Sequence, residues 1–428
     1  MESKANGGSP RRLRDRSRPH DVVLFGATGF TGELVAEYLA EHYGDSDLRL
    51  ALAGRSKAKL EKVRERLGRI RPSYAELPIL IADSYDRASL DRVAADASVV
   101  CTTVGPYDKY GAELVAACVE HATDYCDLTG ETQFIRRMID AHHARAEETG
   151  ARIVHCCGFD SIPSDLGSLM LQDHAFEKHG APCSEIKFFA GKTRGGFSGG
   201  TVASMFNVVD EVKRDRSVLK VLGHPYALNP EGERKGPDGS DQRGVRYDAD
   251  IGAWTAPFIM AAINTRIVRR SNALLGFRYG RDFRYSEVMS LFPGAKGLAM
   301  AAGVAAGLTG FMLAGAVGPT RSLLEKKLPK PGEGPSREER ERGFFEIHLL
   351  GSGVAKDGKP FKLRGRVVGT SDPGYGETAK MLGESAVCLA QDGAELSRGG
   401  GILTPATAMG ATLTQRLRKA GMTFELVD

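Results

Sequence analysis

Cysteine is sparse and poorly placed for cross-linking. The seven residues, Cys101, Cys118, Cys126, Cys156, Cys157, Cys183 and Cys388, are odd in number and form no C-x-x-C. That usage excludes a disulfide framework and a structural zinc, and it fits a reducing, cytoplasmic setting. An apolar run is also missing ahead of Asp21, where the chain is basic and polar, so no secretory signal is read there. The body lacks net charge. The formal +4 is supplied entirely by residues 1–20, where Lys4, Arg11, Arg12, Arg14, Arg16 and Arg18 face only Glu2 and Asp15. A neutral body offers no clustered basic face for phosphate backbones, which excludes nucleic acid as the partner. The arm itself reads as disordered. Neither an internal repeat nor a metal-ligating cluster is found. What is abundant is glycine, 52 residues without a collagen-like period, which points to tight turns and close backbone approaches.

From Asp21 the chain alternates between strand and helix. Strands are expected at Val22–Phe25, Leu48–Ala53, Ile79–Ile81, Ser98–Thr103 and Ile153–His155, with helices at 33–41, 56–67, 111–121 and 132–149. Strands separated by helices of this length form a parallel sheet with right-handed crossovers. Beyond Cys183 the pattern loosens to a strand at Ile186–Ala190, a long helix at Thr201–Val221, and a loop at 224–250. After a charged, proline-rich linker at 329–343, Phe345–Leu349 alternates with period two and pairs with Lys362–Val367 across a turn at Asp357-Gly358. The expected class is α/β. It comprises an arm at 1–20, a doubly wound nucleotide-binding domain at 21–165, a mixed-sheet substrate or dimerisation domain at 166–385, and a C-terminal segment at 386–428.

Residues 297–318 carry no charge and, at 22 residues, are long enough to cross a bilayer. Glycine and alanine make up 13 of them, which weakens insertion. Val304, Leu308, Phe311 and Met312 share one helical face, and Gly303-x-x-x-Gly307 permits close approach of another helix. The expectation is a helix that packs in a homodimer interface or touches the inner face of the plasma membrane peripherally, without spanning it.

The strongest motif is Gly26-Ala27-Thr28-Gly29-Phe30-Thr31-Gly32, between a strand and a helix. Glycines there let the backbone approach a pyrophosphate, and the helix start offers unpaired N–H groups. About twenty residues on, an NAD site usually places a carboxylate. This chain has Arg55, Ser56 and Lys57 instead, which suit the 2′-phosphate of NADP. Asp83 closes the third strand as an adenine-side contact or a turn residue. Val104, Gly105 and Pro106 follow the fourth strand, where the nicotinamide half lies, with Tyr107 and Tyr110 behind them as proton donors or packing rings. His155 to Asp165 crowds Cys156, Cys157, Asp160, Ser161 and Ser164 at another strand's carboxyl edge. Asp160, Ser161 and Ser164 there are site residues or helix caps, and Cys157 is a buried thiol. None of the 12 tyrosines has lysine four residues on, so the short-chain dehydrogenase relay is absent.

Taken together, Val-Val-Leu-Phe-Gly-Ala-Thr-Gly-Phe-Thr-Gly, Leu-Ala-Gly-Arg-Ser, Thr-Val-Gly-Pro-Tyr, Tyr-Cys-Asp-Leu-Thr-Gly-Glu, His-Cys-Cys-Gly-Phe-Asp-Ser-Ile-Pro-Ser-Asp and Gly-Gly-Ile-Leu-Thr-Pro-Ala span residues 22 to about 425. In this order they resemble the saccharopine dehydrogenase-like oxidoreductases, and within them the actinobacterial trans-acting enoyl reductases. The resemblance implies a Rossmann domain, a second α/β domain and a C-terminus returning to the first. It further implies NADPH as hydride donor and an acyl or polyketide substrate whose double bond a synthase has left unreduced. Tyr107, Tyr110 and Ser161 are then the candidate proton donors. Two alternatives stay open: an amino-acid-adduct dehydrogenase holding a carboxylate with Lys192 and Arg194, and a non-catalytic nucleotide-binding scaffold at lipid surfaces.

Overall fold

Short apolar runs bounded by glycine, proline and charge become strands, and each passes its buried face to a helix. In the computed structural model, described over residues 16–195, 199–328, 333–396 and 399–427, fourteen strands form two seven-stranded sheets. In chain order they are β1 (His20–Phe25), β2 (Leu50–Gly54), β3 (Ile79–Ile81), β4 (Ala97–Thr102), β5 (Asp124–Cys126), β6 (Arg152–Val154) and β7 (Glu185–Arg194). There follow β8 (Arg246–Asp248), β9 (Ala253–Pro257), β10 (Arg284–Ser290), β11 (Phe344–Val354), β12 (Pro360–Gly369), β13 (Gly401–Leu403) and β14 (Thr423–Val427).

The first sheet has the order β13-β6-β5-β4-β1-β2-β3 and every pairing in it is parallel. All six residues of β1 are buried, as befits a central strand covered on both faces. Connections reverse direction between β1 and β4, and this switch point opens a crevice at their carboxyl ends. The second sheet, β14-β12-β11-β7-β10-β9-β8, is antiparallel except for the parallel pair β7 and β10. The expected hairpin is present, with Phe345 opposite Gly369 and Ile347 opposite Val367.

The chain then crosses back. Helix Gly376–Gln391 packs on the first sheet and on α1 (Phe30–Tyr43), β13 adds a seventh parallel strand beside β6, and β14 ends on β12 of the second sheet. Residue 385, drawn above as a boundary, lies inside that helix, because its apolar side is buried between the first sheet and α1.

Three further details depart from the sequence reading. Residues 1–15 of the expected arm lie outside the described residues, but Arg18 is docked, donating to Ala94 O at 3.1 Å and His121 O at 2.5 Å. These carbonyls lie at helix C-termini, where a cation is favoured. The long helix at 201–221 is two helices, Gly199–Arg214 and Val218–Gly223, because Asp215 accepts from the Ser217 N–H and Oγ and closes a local turn between them. The apolar helix, Gly294–Ala316, is largely exposed, yet Val304, Leu308 and Phe311 are half-buried and face the protein, so the outward apolar residues are Leu298, Met300, Met312, Leu313 and Val317.

Candidate active site

The glycine turn follows β1 directly. Gly26 has φ +92°, and a Cβ there would stand 2.6 Å from Val104 Cγ2. A Cβ on Gly32 would stand 2.1 Å from Gly26 O and 2.8 Å from Thr103 Oγ1, so this glycine lets α1 press onto the turn. Gly29 differs. Its nearest atom would be Gly26 O at an ordinary 3.5 Å, and the residue is exposed. Packing therefore explains Gly26 and Gly32, whereas Gly29 keeps a cradle open to whatever enters from outside. α1 starts at Phe30 with no side-chain cap, so its first N–H groups, Phe30, Thr31 and Gly32 among them, face that cradle with the positive end of the helix dipole.

Beside it, Arg55 and Lys57 are exposed at the end of β2. Ser56 caps α2 (Lys57–Ile70), accepting from the Lys59 N–H at 3.4 Å. Between turn and helix lies a cleft of about 370 Å³ lined by Thr28, Glu33, Lys59, Lys62, Val63 and Arg66. Arg66 neutralises Glu33 at 2.9 Å and Glu37 at 3.0 Å, leaving the cleft cationic through Lys59 and Lys62. Sequence reasoning stopped at Lys57. The missed signal was a first helical turn with no acid and lysines on its cleft side. A 2′-phosphate fits this donor set, so Arg55, Ser56, Lys57 and Lys59 would hold it. Asp83 shapes a turn, its Oδ1 accepting from the Tyr85 N–H at 2.9 Å while its own N–H donates to Ser89 Oγ.

Across the switch point, Gly105 and Pro106 follow β4 through a cis peptide bond. Val104 packs on the glycine turn, and its N–H donates to Thr102 Oγ1 at 3.2 Å. Tyr107 is buried and its hydroxyl donates to Thr102 O at 3.2 Å. Tyr110 is half-buried and its ring turns toward the loop after β3, 5.6 Å from Tyr85. Glu131 gathers this corner together. It accepts from the backbone N–H groups of Tyr107 and Asp108, both at 2.9 Å, and from Ser204 Oγ at 3.0 Å on helix Gly199–Arg214. Burial pushes its carboxyl up to about 7.

The crowded loop after β6 divides into three roles. His155 Nδ1 lies 2.7 Å from Asp127 Oδ2 in a fully buried pair, and the Cys157 thiol is buried, with desolvation pushing its pKa up and keeping it protonated. Ser161 is buried at the start of helix Ile162–His179 without capping it. Its Oγ donates to Asn264 Oδ1 at 3.0 Å, and Asn264 in turn holds Glu287 at 2.9 Å. Asp160 keeps an unused acceptor. Its Oδ2 is buried with no hydrogen-bond partner among the described residues, and burial first, then the Asp127 charge, pushes its carboxyl up to about 7. Tyr107 and Ser161 thus have their hydroxyls engaged internally. Glu131 and Asp160 are the groups poised between protonation states beside the crevice.

Residues 22–154 match the family model of the saccharopine dehydrogenase NADP binding domain. Over 422 residues the chain is 41% identical to the trans-acting enoyl reductase of Mycobacterium leprae, covering 95% of this chain and 97% of that one. The trans-acting enoyl reductase of Mycobacterium ulcerans is 40% identical, over 96% and 98% of the two chains. A Mycobacterium tuberculosis protein assigned provisionally to the same activity is 45% identical over 95% and 97%. Among solved structures, the apo saccharopine dehydrogenase (L-Glu forming) of Saccharomyces cerevisiae superposes with a TM-score of 0.52 at 13% identity, covering 95% of this chain and 99% of that one, a likeness of fold. The chain belongs to the saccharopine dehydrogenase-like family of NADP-dependent oxidoreductases, in the group that holds the trans-acting enoyl reductases.

Proposed function

We propose that the protein reduces a carbon–carbon double bond in an α,β-unsaturated acyl or polyketide thioester, acting in trans on an intermediate presented by a synthase. The observation that carries this reading is the match of 40–45% identity over at least 95% of the chain to trans-acting enoyl reductases. NADPH, when bound, supplies the hydride. Gly26, Thr28, Gly29, Phe30, Thr31 and Gly32 receive its pyrophosphate, and Arg55, Ser56 and Lys57 its 2′-phosphate. Val104, Gly105 and Pro106 border the reacting end.

The side chains have two remaining tasks. Charge building on the thioester oxygen needs a donor, and the α-carbon needs a proton. Asp160, its carboxyl pushed up to about 7 by burial and its Oδ2 unengaged, is the proton donor in this reading. Glu131 fixes the start of the Tyr107–Tyr110 turn and so positions the loop at Pro106. Tyr107 and Ser161 act as positioning residues, and Tyr110 flanks the cofactor with Tyr85.

The test is direct. Purified protein with NADPH and a short enoyl thioester should yield the saturated thioester by mass spectrometry, with cofactor consumed in equal amount. Turnover only with an amino acid and a keto acid would instead identify the adduct dehydrogenase, and NADPH binding without turnover on either substrate a scaffold.

A further inference from the structure

We propose that the exposed apolar helix Gly294–Ala316, with the helix Gly318–Lys327 that follows it, docks the protein on an anionic lipid bilayer, lying along the surface without crossing it. The inference rests on this surface and is independent of the reaction assigned above.

The helix is fastened to one unit at both ends. Near its start Ala301 is fully buried, and a Cβ on Gly297 would collide with Phe292 O at 1.6 Å. Near its end Phe311 stacks on Phe206 at 6.4 Å, and a Cβ on Gly315 would meet the same ring at 3.2 Å. Gly297, Ala301, Val304, Leu308, Phe311 and Gly315 recur at three- and four-residue spacing, so one stripe runs along the protein for the helix's length, about 34 Å. Gly294–Gly315 is long and apolar enough to cross a bilayer, an 18-residue stretch of it having mean hydropathy 1.7 with 11% of that stretch buried. Spanning would require stripping this stripe off its own domain.

The outward face has the makeup of a surface that enters the headgroup region. Leu298, Met300, Met312, Leu313, Val317 and Leu323 are exposed, Leu313 by 65%. An aromatic group stands at the foot of the helix. Trp254 pairs with the approach strand through Leu291 N–H to Trp254 O at 2.9 Å, its ring lies 5.4 Å from that of Tyr247, and Tyr247 and Phe292 are exposed. Such rings favour the level where hydrocarbon meets water.

Charge selects between lipid and a second copy. From Val288 to Leu324 there is no carboxylate, and the stretch to Leu328 carries Lys296, Arg321, Lys326 and Lys327 against Glu325 alone. Arg321 is engaged by Asp210 and by Glu325 at 2.8 Å, which leaves lysines at both ends of an apolar face. Antiparallel two-fold pairing of this face would bring Lys296 toward the partner's lysine end. Anionic headgroups complement both ends at once.

Trp254 is the sole tryptophan, so it reports docking directly. Full-length protein should float with vesicles of phosphatidylcholine and phosphatidylglycerol, bind pure phosphatidylcholine weakly, and show Trp254 quenching by brominated lipid. High salt should release it. Met312→Glu with Leu313→Glu, both on the open face, should lower vesicle binding about tenfold or more while leaving NADPH affinity unchanged. Lys326→Glu with Lys327→Glu should weaken binding to the anionic vesicles only. The proposal fails if the native protein does not float, or if the Met312→Glu and Leu313→Glu variant floats equally well. It also fails if that variant merely turns a dimer into a monomer in protein that never binds vesicles.

Discussion

The glycines of one turn serve two ends, close packing at Gly26 and Gly32 and open space at Gly29, and substitution separates them. A Cβ at Gly29 would meet nothing closer than 3.5 Å, so Gly29→Val should leave the chain folded while NADPH affinity falls about a hundredfold or more, ~2.8 kcal/mol, by calorimetry. Gly32→Ala should cost stability instead, since its Cβ would overlap Gly26 O, and the readout is the denaturation midpoint. Arg55 is exposed beside a cleft with no carboxylate left unpaired, so NADPH should bind at least about tenfold more tightly than NADH, ~1.4 kcal/mol. Arg55→Asp should narrow or reverse that gap, and equal dissociation constants for the two cofactors in the native protein would overturn the assignment. Asp160 sets a pH dependence. Its carboxyl stays protonated in the folded chain up to about 7 against an ordinary 3.8, so the rate of enoyl reduction should fall as pH rises through that value. Asp160→Asn should abolish the limb along with most of the activity. The same proton is held by the folded state alone between those two values, so stability from this group is present below about 4 and lost as pH climbs to about 7. Asp165, Glu131 and Glu287, also pushed up to about 7 by burial, add slopes of the same sign. Urea midpoints at acidic and alkaline pH should show a shallower decline in Asp160→Asn.

At the scale of elements, the apolar helix shows how a sequence pattern can find a helix and misassign its faces. Val304, Leu308 and Phe311 have the spacing of an interaction stripe, but the stripe is spent on the protein's own helix Gly199–Arg214 and on β9. Phe311→Glu should therefore act on folding. It sets a carboxylate against Phe206, and the loss should be about 2–4 kcal/mol in thermal or urea unfolding. Leu313→Glu, on the open side, should shift stability by less than about 0.5 kcal/mol. The loop at 224–250 makes the complementary point. It has almost no regular structure, yet Arg136 donates to Ala227 O and Asn229 O, and Arg269 holds Asp238 at 2.6 Å. Buried arginines on two helices do for this loop what hydrogen-bond ladders do elsewhere.

Across the whole molecule, Asp165 ties the returning C-terminus to the rest. It accepts from Ser271 Oγ at 2.5 Å and from the Ala406 N–H at 2.8 Å, and Ser271 also meets Thr404 at 2.6 Å. Three distant stretches of chain converge on one carboxyl. Asp165→Ala would leave a buried N–H and a buried hydroxyl short of their acceptor, and should cost about 2–4 kcal/mol in unfolding with the added loss of β13 protection in hydrogen exchange. Asp165→Asn should recover part of both, because its amide oxygen can still accept from Ala406.

The nucleotide half was legible because its signals are local. The glycine turn, the switch from period two to a helical period, and Arg55 in place of a carboxylate all act within about thirty residues, and backbone geometry converts them into structure wherever they occur. The hairpin at 345–367 was legible for the same reason. Tertiary structure decided what depends on partners far along the chain. It decided which side of the apolar helix faces inward, because that is set by Phe206 about a hundred residues earlier. It sealed the hydroxyls of Tyr107 and Ser161 against Thr102 and Asn264, while Asp160 kept a free oxygen. Residue type and spacing name the groups able to move a proton, but desolvation and the last available hydrogen-bond partner choose among them, and both exist only once the two sheets are packed together.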